Sequence, residues 1–331
     1  MSAEKEIRQN LFNIASEADF NRLALEVFRF QFSENKVYGD FVKSLKIDPD
    51  TVSHYRAIPF LPIEFFKTQE VVCGAVSAND VVFSSSGTTG QVTSRHYVHE
   101  PALYEASFLK GFELFYGDVS DYCILALLPS YLERTGSSLV YMFEELIKRS
   151  KHPASGFYLN NVDELITTLQ ALQKTPQKII LLGVTYALLD LAEAGVVLND
   201  RVIVMETGGM KGRRKEMIKE EVHTVLKKGF QISNIHSEYG MTELLSQAYS
   251  KKDGLFECPP WMRILVRDAN DPFHYVQAGR GGGINVIDLA NLYSCSFIET
   301  KDLGKLHQDH CFEVLGRFDN SDLRGCNLMI S

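Results

Sequence analysis

Four polar segments concentrate residue types that do chemistry. Ser84-Ser85-Ser86-Gly87-Thr88-Thr89-Gly90 directly follows the apolar run Val81-Val82-Phe83. Glycines let a backbone turn tightly and aim successive N–H groups inward, and the serines and threonines add hydroxyl donors suited to phosphate oxygens. It is not a P-loop, because Gly90 is followed by Gln91 rather than lysine, and the GxGxxG dinucleotide pattern is absent. A plain polar turn has the same composition, so both readings stay open at this point. Further on come His236-Ser237-Glu238-Tyr239-Gly240-Met241-Thr242-Glu243, then Glu299-Thr300-Lys301-Asp302-Leu303-Gly304, then Gly316-Arg317-Phe318-Asp319. Taken singly, Tyr239 reads as a core aromatic, Thr242-Glu243 as a helix start, and Asp302 or Arg317 as half of a surface ion pair.

The elements that would carry these segments follow from periodicity. The first 45 residues show helical spacing through Leu11, Ile14, Phe20, Leu23, Val27 and Phe30. The proline-punctuated passage Ile58–Lys67 cannot be continuous helix. From about Asp80 to Ser250, short apolar runs alternate with amphipathic stretches. Val81–Ser84, Tyr122–Leu128, Lys178–Leu182 and Val202–Met205 read as buried strands; Leu103–Phe115, Ser138–Lys148, Val162–Leu172 and Arg214–Leu226 read as helices. That alternation predicts an α/β fold with a largely parallel sheet covered on both faces. After about Leu255 the chain shifts to strand-like pieces and many glycines, Gly279-Arg280-Gly281-Gly282-Gly283 among them, which predicts a small β subdomain. The division expected is a helical and proline-rich region over 1–79, an α/β nucleotide-binding region over 80–250, and a β subdomain with a C-terminal tail over 251–331.

Composition narrows the class. The 331 residues are 45% hydrophobic and 23% charged with a net charge of -8, which implies no basic face and no nucleic-acid partner. The N-terminus mixes charges from its start, and no apolar run is long enough to cross a bilayer. Cysteines at 73, 123, 258, 295, 311 and 326 form no CxxC pair, which argues against a zinc ribbon or a disulfide framework and for a reduced, cytoplasmic protein without membrane insertion.

Read together and in this order, SSGTTG, YGxTE, TxDLG and GRxD resemble the adenylate-forming superfamily of acyl-CoA synthetases, adenylation domains and luciferases. The resemblance implies a large adenylation domain binding ATP and Mg²⁺, with the phosphates gripped by Ser84, Ser85, Ser86, Gly87, Thr88, Thr89 and Gly90. Tyr239, followed by Gly240, would stack on adenine; Thr242 would bond phosphate; Glu243 would hold Mg²⁺. Asp302 would accept from the ribose hydroxyls with Arg317 assisting, and Gly208 with Gly209 would let the nucleotide approach the backbone. The implied substrate is a carboxylic acid.

Two departures matter. The Pro-Lys pair that follows the phosphate loop in most relatives is replaced by Gln91-Val92-Thr93-Ser94-Arg95. Only twelve residues follow Asp319, so the C-terminal domain of the superfamily, with its catalytic lysine, is expected to be absent. Lys211 either supplies that charge or is a solvated lysine in a basic run, and both readings stand. Within the superfamily the sequence is most similar to the acyl-protein synthetases of bacterial bioluminescence fatty-acid reductase complexes, through Pro62-Ile63-Glu64-Phe65-Phe66-Lys67, Thr207-Gly208-Gly209-Met210-Lys211 and Arg324-Gly325-Cys326-Asn327-Leu328. That resemblance implies a fatty acid as substrate, Cys326 as an acyl acceptor forming a thioester, and onward transfer to a reductase or acyl carrier. An external CoA or carrier thiol attacking the adenylate is the alternative, and a non-catalytic adenylate-binding module a second one.

Overall fold

The structure, a computed structural model, describes residues 3–85, 92–129, 136–159, 161–208, 214 and 217–318. The chain divides into two compact units. The first comprises Met1–Phe108, Gly240–Ser246 and Cys258–Ser331; the second comprises Leu109–Tyr239 and Gln247–Glu257. No helix among the described residues is long and apolar enough to cross a membrane.

The first unit opens with helices α1 (Ala3–Asn10), α2 (Glu17–Glu34) and α3 (Lys36–Ser44). Ser16 caps α2 by accepting from Asp19 N, and the helix buries Phe20, Leu23, Ala24, Val27, Phe28 and Gln31 at helical spacing. Asn35 ends α2 and starts α3, where its side chain accepts from Tyr38 N. The proline passage forms strand β1 (Leu61–Pro62) and a single turn, α4 (Phe65–Thr68). Next comes the antiparallel hairpin β2 (Val81–Ser84) and β3 (Arg95–Val98). Helix α5 (Pro101–Tyr116) then leads the chain out of this unit.

The second unit is built on parallel strands. Its elements are β4 (Tyr122–Leu127), α6 (Ser138–Ser150), β5 (Gly156–Tyr158), α7 (Val162–Leu172), β6 (Lys178–Val184), α8 (Thr185–Glu193), β7 (Val202–Thr207), α9 (Lys219–Phe230) and β8 (His236–Tyr239). In the sheet the order runs β5-β4-β6-β7-β8, all parallel, and antiparallel β9 (Ala248–Ser250) and β10 (Phe256–Glu257) extend it beyond β8. β4 is buried along its whole length and β6 beyond Lys178, as expected of strands covered on both faces.

The first unit closes with an antiparallel meander of β11 (Met262–Arg267), β12 (Gly281–Asp288), β13 (Phe297–Leu306) and β14 (Phe312–Arg317), to which β1 adds in parallel beside β13. The glycine run has a definite purpose here. A Cβ on Gly282 would lie 2.1 Å from the Arg267 carbonyl oxygen, and one on Gly283 would lie 2.5 Å from Arg267 Cζ. Gly282 thus lets the main chain of β11 approach, and the space left by Gly283 holds the buried Arg267 guanidinium, which donates to Ile284 O, Asn285 Oδ1 and Thr300 O and lies 3.3 Å from Glu299. Arg267 thereby ties β11 to the Thr300–Asp302 stretch. The structure thus has the α/β architecture expected from the alternation of apolar runs.

Candidate functional site

In the first unit, residues from four distant segments converge on Glu243. Ser84 ends β2 opposite Arg95, and Ser85 continues the hairpin: its N–H donates to Ser94 O, while its Oγ accepts from Ser94 N at 2.8 Å. Ser94, on the same hairpin, also hydrogen-bonds the Glu243 carboxyl. Asp302 and Arg317 are direct partners across the β13–β14 hairpin, with Nε 3.8 Å from Oδ1, and both act electrostatically on Glu243. Burial raises the Glu243 pKa, while the Ser94 bond and Arg317 pull it back.

The backbone around Glu243 is held by buried side chains that grip main-chain atoms. His96 Nδ1 lies 2.8 Å from Thr242 O, and Nε2 faces Asn291 Oδ1 at 2.9 Å. Burial pushes the His96 pKa down to about 4, and the two acceptors pull it back up. Asn291 Nδ2 donates to Glu243 O and Cys295 O. Asp288, fully buried, accepts from Leu245 N, Ser246 N, Ser246 Oγ and Ala290 N. Burial pushes its carboxyl up to about 6 against those bonds. The loop carrying Asp288 and Asn291 is in turn fastened to α2: Gln31 Nε2 donates to Asn291 O and Leu292 O, and Asn35 Nδ2 donates to Ser294 O. A chain of buried polar contacts therefore runs from α2 to the Thr242-Glu243 backbone.

Among the described residues no group of three or more His, Cys, Asp or Glu side chains forms a metal cage. One buried carboxylate suits Mg²⁺ that arrives on a nucleotide, since Mg²⁺ keeps waters and phosphate oxygens and needs only one or two protein carboxylates. The site residues present fit that ion.

In the second unit, Gly208 follows β7 with φ +73, a conformation that favours glycine. Tyr239 ends β8, buried and edge-on to Phe256, with ring centroids 5.9 Å apart. One residue before Thr207, Glu206 is buried and fully engaged. Lys219 bonds its Oε1, His223 lies 3.5 Å from the same oxygen, and Thr185 Oγ1 donates to Oε2 at 3.1 Å. Burial opposes the Glu206 charge, yet Lys219 and the hydrogen bonds hold its pKa down to about 2.

Ser86, Gly87, Thr88, Thr89, Gly90, Gly209, Lys211 and Cys326 lie outside the described residues. From the basic run beyond Lys211, Arg214 folds back onto Asp190 and Glu193 of α8. Cys295 is buried with its thiol pushed up to about 12, and burial likewise raises Cys73 and Cys123, so none of these is a ready nucleophile. Ser94, His96, Asp288 and Asn291 were not singled out by residue type. Their signal is three-dimensional: His96, Asp288 and Asn291 bind main-chain atoms far away in sequence, and Ser94 meets the distant Glu243 carboxyl.

Neither a protein-family model nor a curated protein matches the sequence. Solved structures do. 2-Hydroxyisobutyryl-CoA ligase in its postadenylation state with 2-HIB-AMP aligns with TM-score 0.69 and 13% identity, covering 94% of this chain and 70% of the ligase. The same ligase with 2-HIB-AMP and CoA in the thioesterification state gives TM-score 0.69 over 93% of this chain and 70% of the ligase, at 13% identity. ATP-bound MatB from Rhodopseudomonas palustris gives TM-score 0.53 and 16% identity over 71% of this chain, which spans about half of MatB, 47% of its length. At these identities the likeness is one of fold, and the fold of this chain matches that of the adenylation domain of adenylate-forming enzymes.

Proposed function

We propose that this chain uses Mg·ATP to activate a carboxylic acid as an acyl-adenylate. The observation that carries the reading lies in the first unit. There the foot of the Ser84–Gly90 loop, the Thr242-Glu243 pair, Asp302 and Arg317 are gathered around one buried carboxylate although they are scattered through the sequence. In the proposed reaction a substrate carboxylate oxygen attacks the α-phosphorus, forming the acyl–phosphate bond as pyrophosphate leaves. Ser84, Ser85 and the rest of the loop would bond the phosphates with Thr242; Glu243 would hold the Mg²⁺ that neutralises charge developing there. Tyr239 and Gly208 would receive the base, Asp302 and Arg317 the ribose, and Lys211 would add positive charge.

We further propose, on the resemblance to acyl-protein synthetases, that the Cys326 thiolate then attacks the acyl carbonyl and expels AMP, leaving a thioester for a reductase or carrier. In that reading the acid is a fatty acid. CoA as direct acceptor is the second reading, favoured by the CoA-bound ligase of like fold.

One experiment separates them. The protein is incubated with ATP, Mg²⁺ and a panel of acids while pyrophosphate exchange and intact mass are followed, in parallel with Cys326→Ser. Acyl-protein chemistry gives exchange in both proteins and a mass adduct only with Cys326 present. Exchange without any adduct, and acyl-CoA formed when CoA is added, would establish the second reading. No exchange with any acid would refute adenylation.

A further inference from the structure

The second unit holds two buried glutamates one strand apart, and the fold treats them differently. Glu206 on β7 and Glu238 on β8 expose 2% and 6% of their surface. Register pairs Glu206 with Ser237, and Thr207 with Glu238, so the two carboxylates point to opposite faces of the sheet. On its face Glu206 has a lysine, a histidine and a threonine. On the other face Glu238 Oε2 accepts one bond, from Thr207 Oγ1 at 2.5 Å, and no other side-chain hydrogen bond to the Glu238 carboxyl occurs among the described residues. The neighbouring His236 on the same face brings no charge. It lies 3.2 Å from the Tyr116 hydroxyl, and burial pushes its pKa down to about 4. Burial likewise pushes the Glu238 carboxyl up to about 7, with the Thr207 bond opposing. A carboxyl withdrawn from water with one partner is costly, and folds rarely keep such groups without use.

Its position says what the use is. Thr207 and Glu238 stand at the carboxyl ends of adjacent parallel strands, where open α/β sheets bind ligands. Each immediately precedes a residue assigned above to the nucleotide, Gly208 and Tyr239. We infer that Glu238, with Thr207 beside it, is a specificity residue that receives a hydrogen-bond-donating group, hydroxyl or ammonium, on the carboxylic acid substrate. The inference rests on the adenylation reading for the identity of the ligand as an acid. It departs from an unsubstituted fatty acid.

The test uses the full chain, Glu238→Leu and Glu238→Gln. The acids are a straight-chain alkanoic acid and its hydroxy and amino derivatives of equal carbon number. Three readouts are taken: calorimetric binding of each acid, pyrophosphate release with Mg·ATP, and the melting midpoint. A donor-bearing acid should be preferred over its parent by about 100-fold or more, since a site built around a polar group rejects the analogue lacking it. Glu238→Leu should reduce that preference to within about threefold and leave the melting midpoint unchanged or raised, because a desolvated carboxyl is removed. Glu238→Gln should keep binding of the hydroxy acid and lose that of the amino acid. Equal handling of parent and derivative by the wild type overturns the inference. So does a variant set in which both substitutions lower the midpoint by several degrees while the preference survives, since the carboxyl would then be structural. Preferential binding of a donor-bearing acid without pyrophosphate release would leave this inference standing and refute adenylation.

Discussion

Replacing Asp288 by asparagine is the sharpest test of how the Thr242-Glu243 backbone is held. The carboxylate accepts Leu245 N at 2.7 Å and Ser246 N at 2.9 Å on Oδ2, and Ser246 Oγ at 2.5 Å and Ala290 N at 3.1 Å on Oδ1. Asparagine has one carbonyl oxygen for these donors. Its best orientation keeps that oxygen on Leu245 and Ser246 and lets the Ser246 hydroxyl rotate to accept from the amide. Ala290 N–H is then left facing an NH₂ group. An orphaned buried donor costs about 1–3 kcal/mol, and loss of charge assistance in the two surviving bonds about 1 kcal/mol more. Relief of a desolvated charge offsets part of this, giving a net loss of about 2 kcal/mol. At about 2–4 °C per kcal/mol for a unit of this size, the melting midpoint should fall by roughly 4–8 °C. The measurement is near-UV circular dichroism at about pH 8, above the pKa of about 6, where Asp288 is ionised. Because the two main-chain bonds, to Leu245 and Ser246, directly follow the Thr242-Glu243 pair, the apparent affinity for Mg·ATP should fall as well. A midpoint within about 2 °C of wild type would show that Asp288 is no anionic anchor for the Thr242-Glu243 backbone.

Two further substitutions probe the same unit. Glu243→Gln keeps the shape and the Ser94 bond and removes only the charge, so the melting midpoint should hold or rise while Mg²⁺-dependent pyrophosphate release drops by about 100-fold or more. Unchanged release would mean the metal is held elsewhere. Gly283→Ala should destabilise by about 2–4 kcal/mol, since its Cβ would lie 2.5 Å from Arg267 Cζ and displace the guanidinium from Thr300 O. A denaturation midpoint equal to wild type would remove Arg267 from its assigned place.

Short β5 and polar β8 went unread, and Val81–Ser84, read as a buried strand, is a partly buried antiparallel one. The parallel strands β4, β6 and β7 were legible because buried strands read as unbroken apolar runs. The polar ends of those strands were not. Val202–Met205 stops short of the observed Thr207, because Glu206 and Thr207 look like loop residues until their buried partners are seen. Helix α8 was missed because Thr185 follows β6 without a turn, merging two apolar segments. The helix expected from Arg214 begins at Lys219, and Arg214 is spent on ion pairs with α8. Glycines made β12 look like broken pieces, whereas they make room for Arg267. At the site, motif spacing pointed to the residues that would touch a nucleotide. The supporting His96, Asn291 and Asp288 reach across 146, 48 and 43 positions to main-chain atoms, and no local pattern encodes that.

The clamp of α2 on the loop around Asn291 also sets a timetable for biosynthesis. Gln31 leaves the ribosome well before its acceptors, because Asn291 O and Ser296 Oγ lie 260 and 265 residues downstream. At translation rates of about 5–20 residues per second, that interval is on the order of tens of seconds. Throughout it the apolar stripe from Phe20 to Phe28 has no downstream partner strands, and the Thr242-Glu243 segment emerges before the loop that holds it. The parallel strands β4 to β8 are contiguous in the chain and need no such wait. The segment that would read nucleotide thus acquires its shape only once the loop around Asn291 is made, and α2 waits for the same event.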